Sequence, residues 1–184
     1  MVLLNNDTIV SPNWLDRLID HARTIPRLGV LGPSTNTETL QSLPGAKYNS
    51  VQEFFDYNRE LEKGSRGMWA PVTKISGLCF YISREALDKV GLLDESYGLG
   101  YFEDDDYCLR VVDAGLKLVC AKDLYVHHFG SMSFEGASLN REKYLAAASS
   151  RFVFKWGTRG IDYINQVHGE GFNYKRSANS DTAS

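Results

Sequence analysis

Long apolar runs are missing from this chain of 184 residues: none exceeds about five, against the roughly 20 that a membrane-spanning helix requires. No bilayer-crossing helix is expected. Basic clusters are missing as well. Lys and Arg total 20 against 23 Asp and Glu, the formal net charge is -3, and no basic run is interleaved with aromatics. A phosphate backbone therefore finds no general attraction, and nucleic acid is not an expected partner. Cysteine is scarce. Cys79, Cys108 and Cys120 are widely spaced and each lies among apolar neighbours, which predicts buried thiols in place of a disulfide framework or a thiolate zinc site. The opening MVLLNND has no basic leader, long apolar stretch or small-residue cleavage site. The expected location is cytoplasmic, with peripheral attachment at the inner face of a membrane as the variant.

What is present is enough for a globular domain with a real core: 43% of residues are hydrophobic and 23% charged. MVLL predicts a strand broken by NNDT. SPNWLDRLIDHA predicts a helix with Ser11 as N-cap, Pro12 at the first helical position and Leu15, Leu18, Ile19 and Ala22 on one apolar face. LGVLGP predicts a strand, and the polar stretch around Pro44 and Gly45 a surface loop. Ser50 and Glu53 have capping-box spacing at the start of a helix that ends near Gly64, with Val51, Phe54, Phe55 and Leu61 on one side. VTKISGLCFYIS predicts a strand containing Gly77, a position where a ligand or another backbone can come close. REALDKV predicts a short helix stopped by Gly91. Two short strands, around LKLVCA and LYVHH, and a helix from about Asn140 to Trp156 follow. Apolar periodicity then fades toward a disordered tail. Alternating strands and helices imply an α/β fold, with a mixed sheet because two connections are too short for crossover helices.

Chemistry concentrates in three places. In GYFEDDDYCLRVVDAG, four adjacent acids, Glu103, Asp104, Asp105 and Asp106, open a helix. One or two would complement the helix dipole, and Asp106 with Arg110 makes a favourable i, i+4 pair. Four repel one another, and those leaning toward apolar neighbours lose solvation, which raises a carboxylate toward the range of a general base. LLNNDT places Asn5 and Asp7, oxygen ligands suited to a hard cation, just after an apolar strand, where open α/β sheets collect ligands; an Asx turn is the structural alternative. YVHHFGSMSF ends a strand with His127 and His128, then a glycine and small hydroxyl residues.

In their order, LLNNDT, ISGLCFYISREALDKVGLLDE, GYFEDDDYCLR and VHHFGSMSF resemble the family 2 glycosyltransferases, inverting enzymes of the GT-A fold, over most of Leu3 to Phe134. The resemblance is nearest to members that act on surface polysaccharides. It implies a partial GT-A (nucleotide-diphospho-sugar transferase-like) fold over residues 1–156, with residues 157–184 as a C-terminal extension. It also implies that the nucleotide-binding half, which precedes the metal motif in the family, is absent from this chain, so the expected object is an acceptor-side portion that is inactive alone. The family's DxD falls on NND, with Asp7 as metal ligand and Asn5 in the donor-binding position. Glu103 and Asp104 take the places of its Glu-Asp pair, Asp104 being the base. Gly77 lines the acceptor side, and His128, with His127 as fallback, assists the metal. The implied cofactor is a divalent cation, Mg²⁺ or Mn²⁺. The implied partners are a nucleotide-diphospho-sugar donor and a glycan or lipid-linked acceptor, with self-association through an exposed sheet edge. Two rival functions are a non-catalytic carbohydrate-binding or interaction domain of the same fold, and a metal-dependent hydrolase using Asp7, the acidic turn and His128.

Overall fold

The computed structural model describes residues 1–36, 40–43, 46–130 and 141–169. Its central strand, β3 (Leu28–Thr35), is buried at every position, as a strand covered on both faces must be. On one side it runs parallel to β6 (Lys117–His128), and on the other antiparallel to β5 (Cys79–Ile82). The order is β1-β5-β3-β6-β2, with β1 (Val2–Leu4) and β2 (Thr8–Ile9) at its ends and β4 (Trp69–Pro71) also pairing β6. The architecture is α/β, an open mixed sheet flanked by helices, consistent with a partial GT-A fold. Strand alternation sends Val30, Phe80, Ile82 and Leu118 to one core and Leu31, Cys79, Val119 and Val126 to another. The first is closed by α3 (Arg84–Val90) and α4 (Glu103–Asp113), the second by α1 (Trp14–Thr24).

Several boundaries differ from the sequence-based expectation, each for a tertiary reason. The two short strands near the C-terminal side are one, β6, whose pairing with β3 jumps from Ala121 to Tyr125 at an irregularity between Pro33 and Ser34. A bulge of this kind lets a strand continue past a register shift. The strand expected over VTKISGLCFYIS is confined to β5, because after Val72, whose amide still donates to Leu118 of β6, the segment Lys74–Gly77 leaves the sheet to hold α4. Gly77 therefore sits in a turn just before β5. β1 lies antiparallel to β5, Leu3 opposite Phe80, and among the described residues its other edge has no strand partner, an open edge of the kind that invites pairing.

Helix α1 begins at Trp14, not at Pro12: Asn13 takes the cap position with φ 61, and Ser11 contributes its backbone carbonyl to the Trp14 amide at 3.3 Å. Its buried face includes Arg17 and His21 while Leu15 is exposed. Both polar residues reach Asp123 at the irregularity in β6: His21 Nε2 lies 2.6 Å from Asp123 Oδ1, and Arg17 Nη1 donates to the Asp123 carbonyl at 3.0 Å. In α2 (Val51–Ser65) the Ser50 hydroxyl accepts the Glu53 amide as expected, and the Glu53 carboxylate accepts the Asn49 amide. Phe54 and Asn58 form its buried side, with Val51 exposed. Part of the expected surface loop is interior: Gln41 is fully buried, donating to the Pro33 carbonyl and accepting the Ser76 amide, both at 2.7 Å.

The last helical element, α5 (Arg141–His168), is broken at Gly157 (φ 59, ψ -139), so a helix does end near Trp156 as expected, and a second helical stretch, not expected from the sequence, follows it. Tyr163 and Ile164 beyond the kink pack with Phe102, Leu109 and Phe152, so residues up to 168 belong to the packed body. The SMSF stretch, the Pro44-Gly45 turn and the expected disordered tail beyond residue 169 lie outside the described residues. Among the described residues no helix is long and apolar enough to cross a membrane. All three cysteines are buried and free, as expected.

Candidate functional site

Six separated stretches of sequence meet in a cleft of about 820 Å³. On one wall the NND loop leaves β1. The Asn5 amide donates to the Leu78 carbonyl at 2.9 Å, and the Thr8 hydroxyl closes the loop by donating to the Asn5 carbonyl at 2.8 Å. The loop is thus an ordered turn, and Asn5 and Asp7 line the cleft. β2 then pairs with the end of β6, Thr8 opposite His128. That register puts Asp7 Oδ1 3.2 Å from His128 Nε2, with both side chains mostly buried. Asn36 fixes the backbone of His128 by accepting its amide at 2.8 Å and donating to its carbonyl at 3.0 Å.

Because successive side chains on a strand point to opposite faces, His127 turns away from His128. Its Nδ1 meets the Tyr48 hydroxyl, its ring packs edge-on against Phe129, and it does not line the cleft. Of the two histidines, His128 is the one brought to the NND loop. Among the described residues no group of three or more His, Cys, Asp and Glu side chains gathers to hold a metal. Asp7 and His128 form a two-residue donor pair, and Asn5 lines the same cleft.

The opposite wall is the start of α4. Tyr101 and Phe102 both have left-handed backbone conformations, φ 71 and 68, which aromatic residues rarely adopt and which cost of order 1–3 kcal/mol each. The strained pair turns the chain so that α4 begins at the cleft. Phe102, in the cap position, offers no capping side chain, and the first-turn acids answer the free amides instead: Asp104 Oδ1 accepts the Asp105 amide at 2.9 Å.

Each of the four acids has its own surroundings. Asp106 is fully buried and neutralised, bound by Arg110 Nε and Lys155 Nζ at 2.8 Å and by Trp156 Nε1 at 2.9 Å. Asp105 is buried against Lys74 Nζ at 2.7 Å, and His168 Nε2 lies 3.5 Å from its other oxygen. Burial alone would raise the Asp105 carboxyl, but Lys74 and His168 hold it well below the usual carboxylate range. Asp104 faces the cleft with 14% of its side chain exposed. Its Oδ2 accepts the Gly77 amide at 2.8 Å and lies 3.8 Å from Lys74 Nζ. Burial pushes its carboxyl up, with Lys74 opposing and Asp105 adding to the rise. Glu103 also lines the cleft. Burial, then the neighbouring Asp104, pushes it up to about 7, and its Oε2 has no hydrogen-bond partner among the described residues.

Gly77 lies against this acid pair. A Cβ added there would sit 3.6 Å from Asp104 Cβ and 3.8 Å from Glu103 Oε1, ordinary contact distances. The structure thus gathers Asn5, Asp7, Gly77, Glu103, Asp104 and His128 in a single cleft. It adds three residues that sequence reasoning missed: Lys74, His168 and Arg141. Lys74 looks like any strand lysine in VTKISG, and His168 falls where periodicity seemed to fade. Arg141, whose Nε donates to the Tyr101 hydroxyl at 3.1 Å, opens a helix with no local mark of function.

An arrangement with a partly neutralised carboxylate on one wall and a carboxylate-imidazole pair on the other can remove a proton from a hydroxyl and hold a cation near an anionic group. No protein-family model matches the chain. It is similar to the N-acetylglucosaminyl-diphospho-decaprenol L-rhamnosyltransferase of two strains of Mycobacterium tuberculosis, with 29% identity over 146 residues. The match covers 70% of this chain and 46% of the relative. The chain therefore spans about half the length of the curated relatives it matches.

Proposed function

We propose that this chain carries the acceptor-side residues of an inverting glycosyltransferase of the family 2, GT-A type, a hexosyltransferase acting in surface polysaccharide synthesis. Such an enzyme moves a sugar from a nucleotide-diphospho-sugar to a hydroxyl of a glycan or lipid-linked acceptor. The observation that carries this reading is the convergence of four motifs, separated by up to 121 positions between Asp7 and His128, on one cleft. The mycobacterial relative, named as a glycosyltransferase with a lipid-linked diphosphate acceptor, supports the same class.

In this reading Asp104 is the base. Its Oδ2 is oriented by the Gly77 amide, and its raised affinity for a proton suits it to accept one from the attacking acceptor hydroxyl. The oxygen of that hydroxyl forms a bond to the anomeric carbon as the bond to the diphosphate breaks, and a single displacement inverts the configuration. Glu103 and Gly77 line the acceptor side, and Asn5 the donor side. The donor set of Asp7 and His128, one carboxylate oxygen and one imidazole nitrogen 3.2 Å apart, fits a divalent cation whose other ligands come from a diphosphate and water. When bound, that cation stabilises the charge gathering on the leaving diphosphate.

A panel of sugar nucleotides with Mg²⁺ or Mn²⁺ and a lipid-linked or oligosaccharide acceptor tests the proposal. With a nucleotide-binding half supplied, metal-dependent appearance of inverted product is expected, with none from this chain alone, and Asp7→Ala should abolish Mn²⁺ binding by calorimetry. Release of free sugar or phosphate without an acceptor would identify a hydrolase instead. Glycan binding with no turnover and no response to Asp104→Asn would identify a binding domain.

A further inference from the structure

The segment Lys74–Gly77 touches α4 at three successive levels: Lys74 Nζ on Asp105 at 2.7 Å, the Ile75 amide on Cys108 Sγ at 3.4 Å, and the Gly77 amide on Asp104 at 2.8 Å. Lys74 is 8% exposed, too deep to be a surface ion pair. Its ammonium chooses between two carboxylates and sits on the inner one, leaving Asp104 1.1 Å farther off at 3.8 Å. A buried charge so placed acts on both groups because solvent screens it weakly.

Resting on the proposed role of Asp104, we propose that Lys74 is a positioning residue that makes Asp104 the working carboxylate of the acidic turn, by neutralising Asp105 and keeping Asp104 ionisable and aimed at the cleft. Without the ammonium, Asp104 and Asp105 would compete for one proton, and the side chain presented to a substrate would be a neutral acid that cannot accept one. The groups facing Asp104 are Glu103, Asp105 and Cys108 on its own helix, Lys74 from the preceding segment, and Tyr163 and His168 from α5, with Asp7 and His128 across the cleft. Among these, Lys74 is the cation nearest Asp104 that is itself buried and bonded to α4.

The test is the side-chain titration of Asp104, followed by NMR on protein with isotope-labelled aspartate, in wild type, Lys74→Met, Lys74→Arg and Asp105→Asn. Lys74→Met is expected to raise the Asp104 midpoint by about one pH unit or more, the usual effect of an opposite charge at this range. Lys74→Arg should restore it to within about half a unit, since the cation remains. Asp105→Asn should move it the other way, downward, because a negative neighbour is lost and the released ammonium has Asp104 as its remaining carboxylate. A merely structural lysine predicts no such opposition of sign. An Asp104 midpoint unmoved in folded Lys74→Met, or raised in Asp105→Asn, overturns the inference, and the second variant keeps the test decisive if Lys74→Met fails to fold. These shifts appearing while Asp104→Asn leaves sugar transfer intact would overturn the proposed function and leave the positioning role standing.

Discussion

Arg110→Ala is the substitution that most directly loosens the helix carrying the candidate base. Arg110 Nε binds Asp106 at 2.8 Å, its two terminal nitrogens donate to the Val90 and Leu92 carbonyls at 3.0 Å each, and the guanidinium lies 4.8 Å from the centre of the Tyr107 ring. It therefore ties α4 to the loop that follows α3. Asp106 keeps Lys155 and Trp156 after the substitution, so the buried carboxylate is not abandoned. Two hydrogen bonds from a charged donor, discounted because the side chain is 21% exposed, contribute about 1 kcal/mol each. The cation–π contact and the packed stem add about 1 kcal/mol more. A loss of about 2–4 kcal/mol follows, or about 5–15 °C in Tm for a chain of this size. Thermal unfolding followed by circular dichroism, with denaturant titration for the free energy, measures it. Arg110→Lys should fall between, keeping the charge without the fork that spans both carbonyls. A Tm change below about 2 °C in Arg110→Ala would refute the reasoning, since it would mean that α4 is held by its apolar face alone.

Other outcomes follow from the same geometry. Gly77→Ala should fold with Tm within about 2 °C of wild type, because its Cβ meets only ordinary contacts, yet it should weaken acceptor use by placing a methyl beside Asp104; a variant that unfolds, or one with unchanged acceptor KM, would count against that placement. Stability should also depend on pH with two opposed limbs. Glu103, pushed up to about 7, and Asp104, also raised, bind protons more tightly folded than unfolded, so stability should fall as pH rises from about 4.3 through 7. Asp105 and Asp123 are held below their usual range, so their contribution is present above about pH 3.9 and lost as pH falls through their folded values. Denaturant midpoints from pH 3 to 8 should therefore peak in mild acid, and Glu103→Gln should flatten the upper limb while leaving the acid limb in place.

The acidic helix was legible in sequence because its signals are local: acids in the first turn, Asp106 and Arg110 one turn apart, and a glycine after its end. Spacing pairs Asp106 with Arg110, as the structure has it, but it does not separate the surroundings of Asp104 from those of Asp105. The division among the four acids rests on Lys74, 31 residues from Asp105, and on His168 and Lys155, about 50 to 60 residues away. Spacing on one helix carries no such information. The burial of Arg17 and His21 was hidden for the same reason, since Asp123 lies more than 100 residues along the chain. The irregularity in β6 looked like a break between two strands because its polar residues interrupt the apolar pattern, although the pairing resumes beyond it. Gly157 does end a helix, as its place in the sequence suggests; what its signal hides is the second helical stretch beyond it, whose Tyr163 and Ile164 return to the core. The resemblance preferred His128 to His127, and the register of β2 on β6, which a two-residue strand does not advertise, is what brings His128 beside Asp7.

Transfer by Asp104→Asn is the measurement that bears most directly on the proposed chemistry. Asparagine keeps the shape and one acceptor oxygen but replaces the other with an amide that cannot take a proton, and one of the two backbone amides now held, from Gly77 or Asp105, would lose its acceptor. A folded variant with modestly changed stability is expected, because removing one crowded charge offsets that loss. With a donor and acceptor on which the wild-type enzyme turns over, and with folding verified by circular dichroism, Asp104→Asn should lower kcat by about 10²–10⁴, the contribution of a positioned base, with donor affinity nearly unchanged. Undiminished transfer by folded Asp104→Asn would contradict the account at its centre, leaving the cleft and its acids without the role assigned to them.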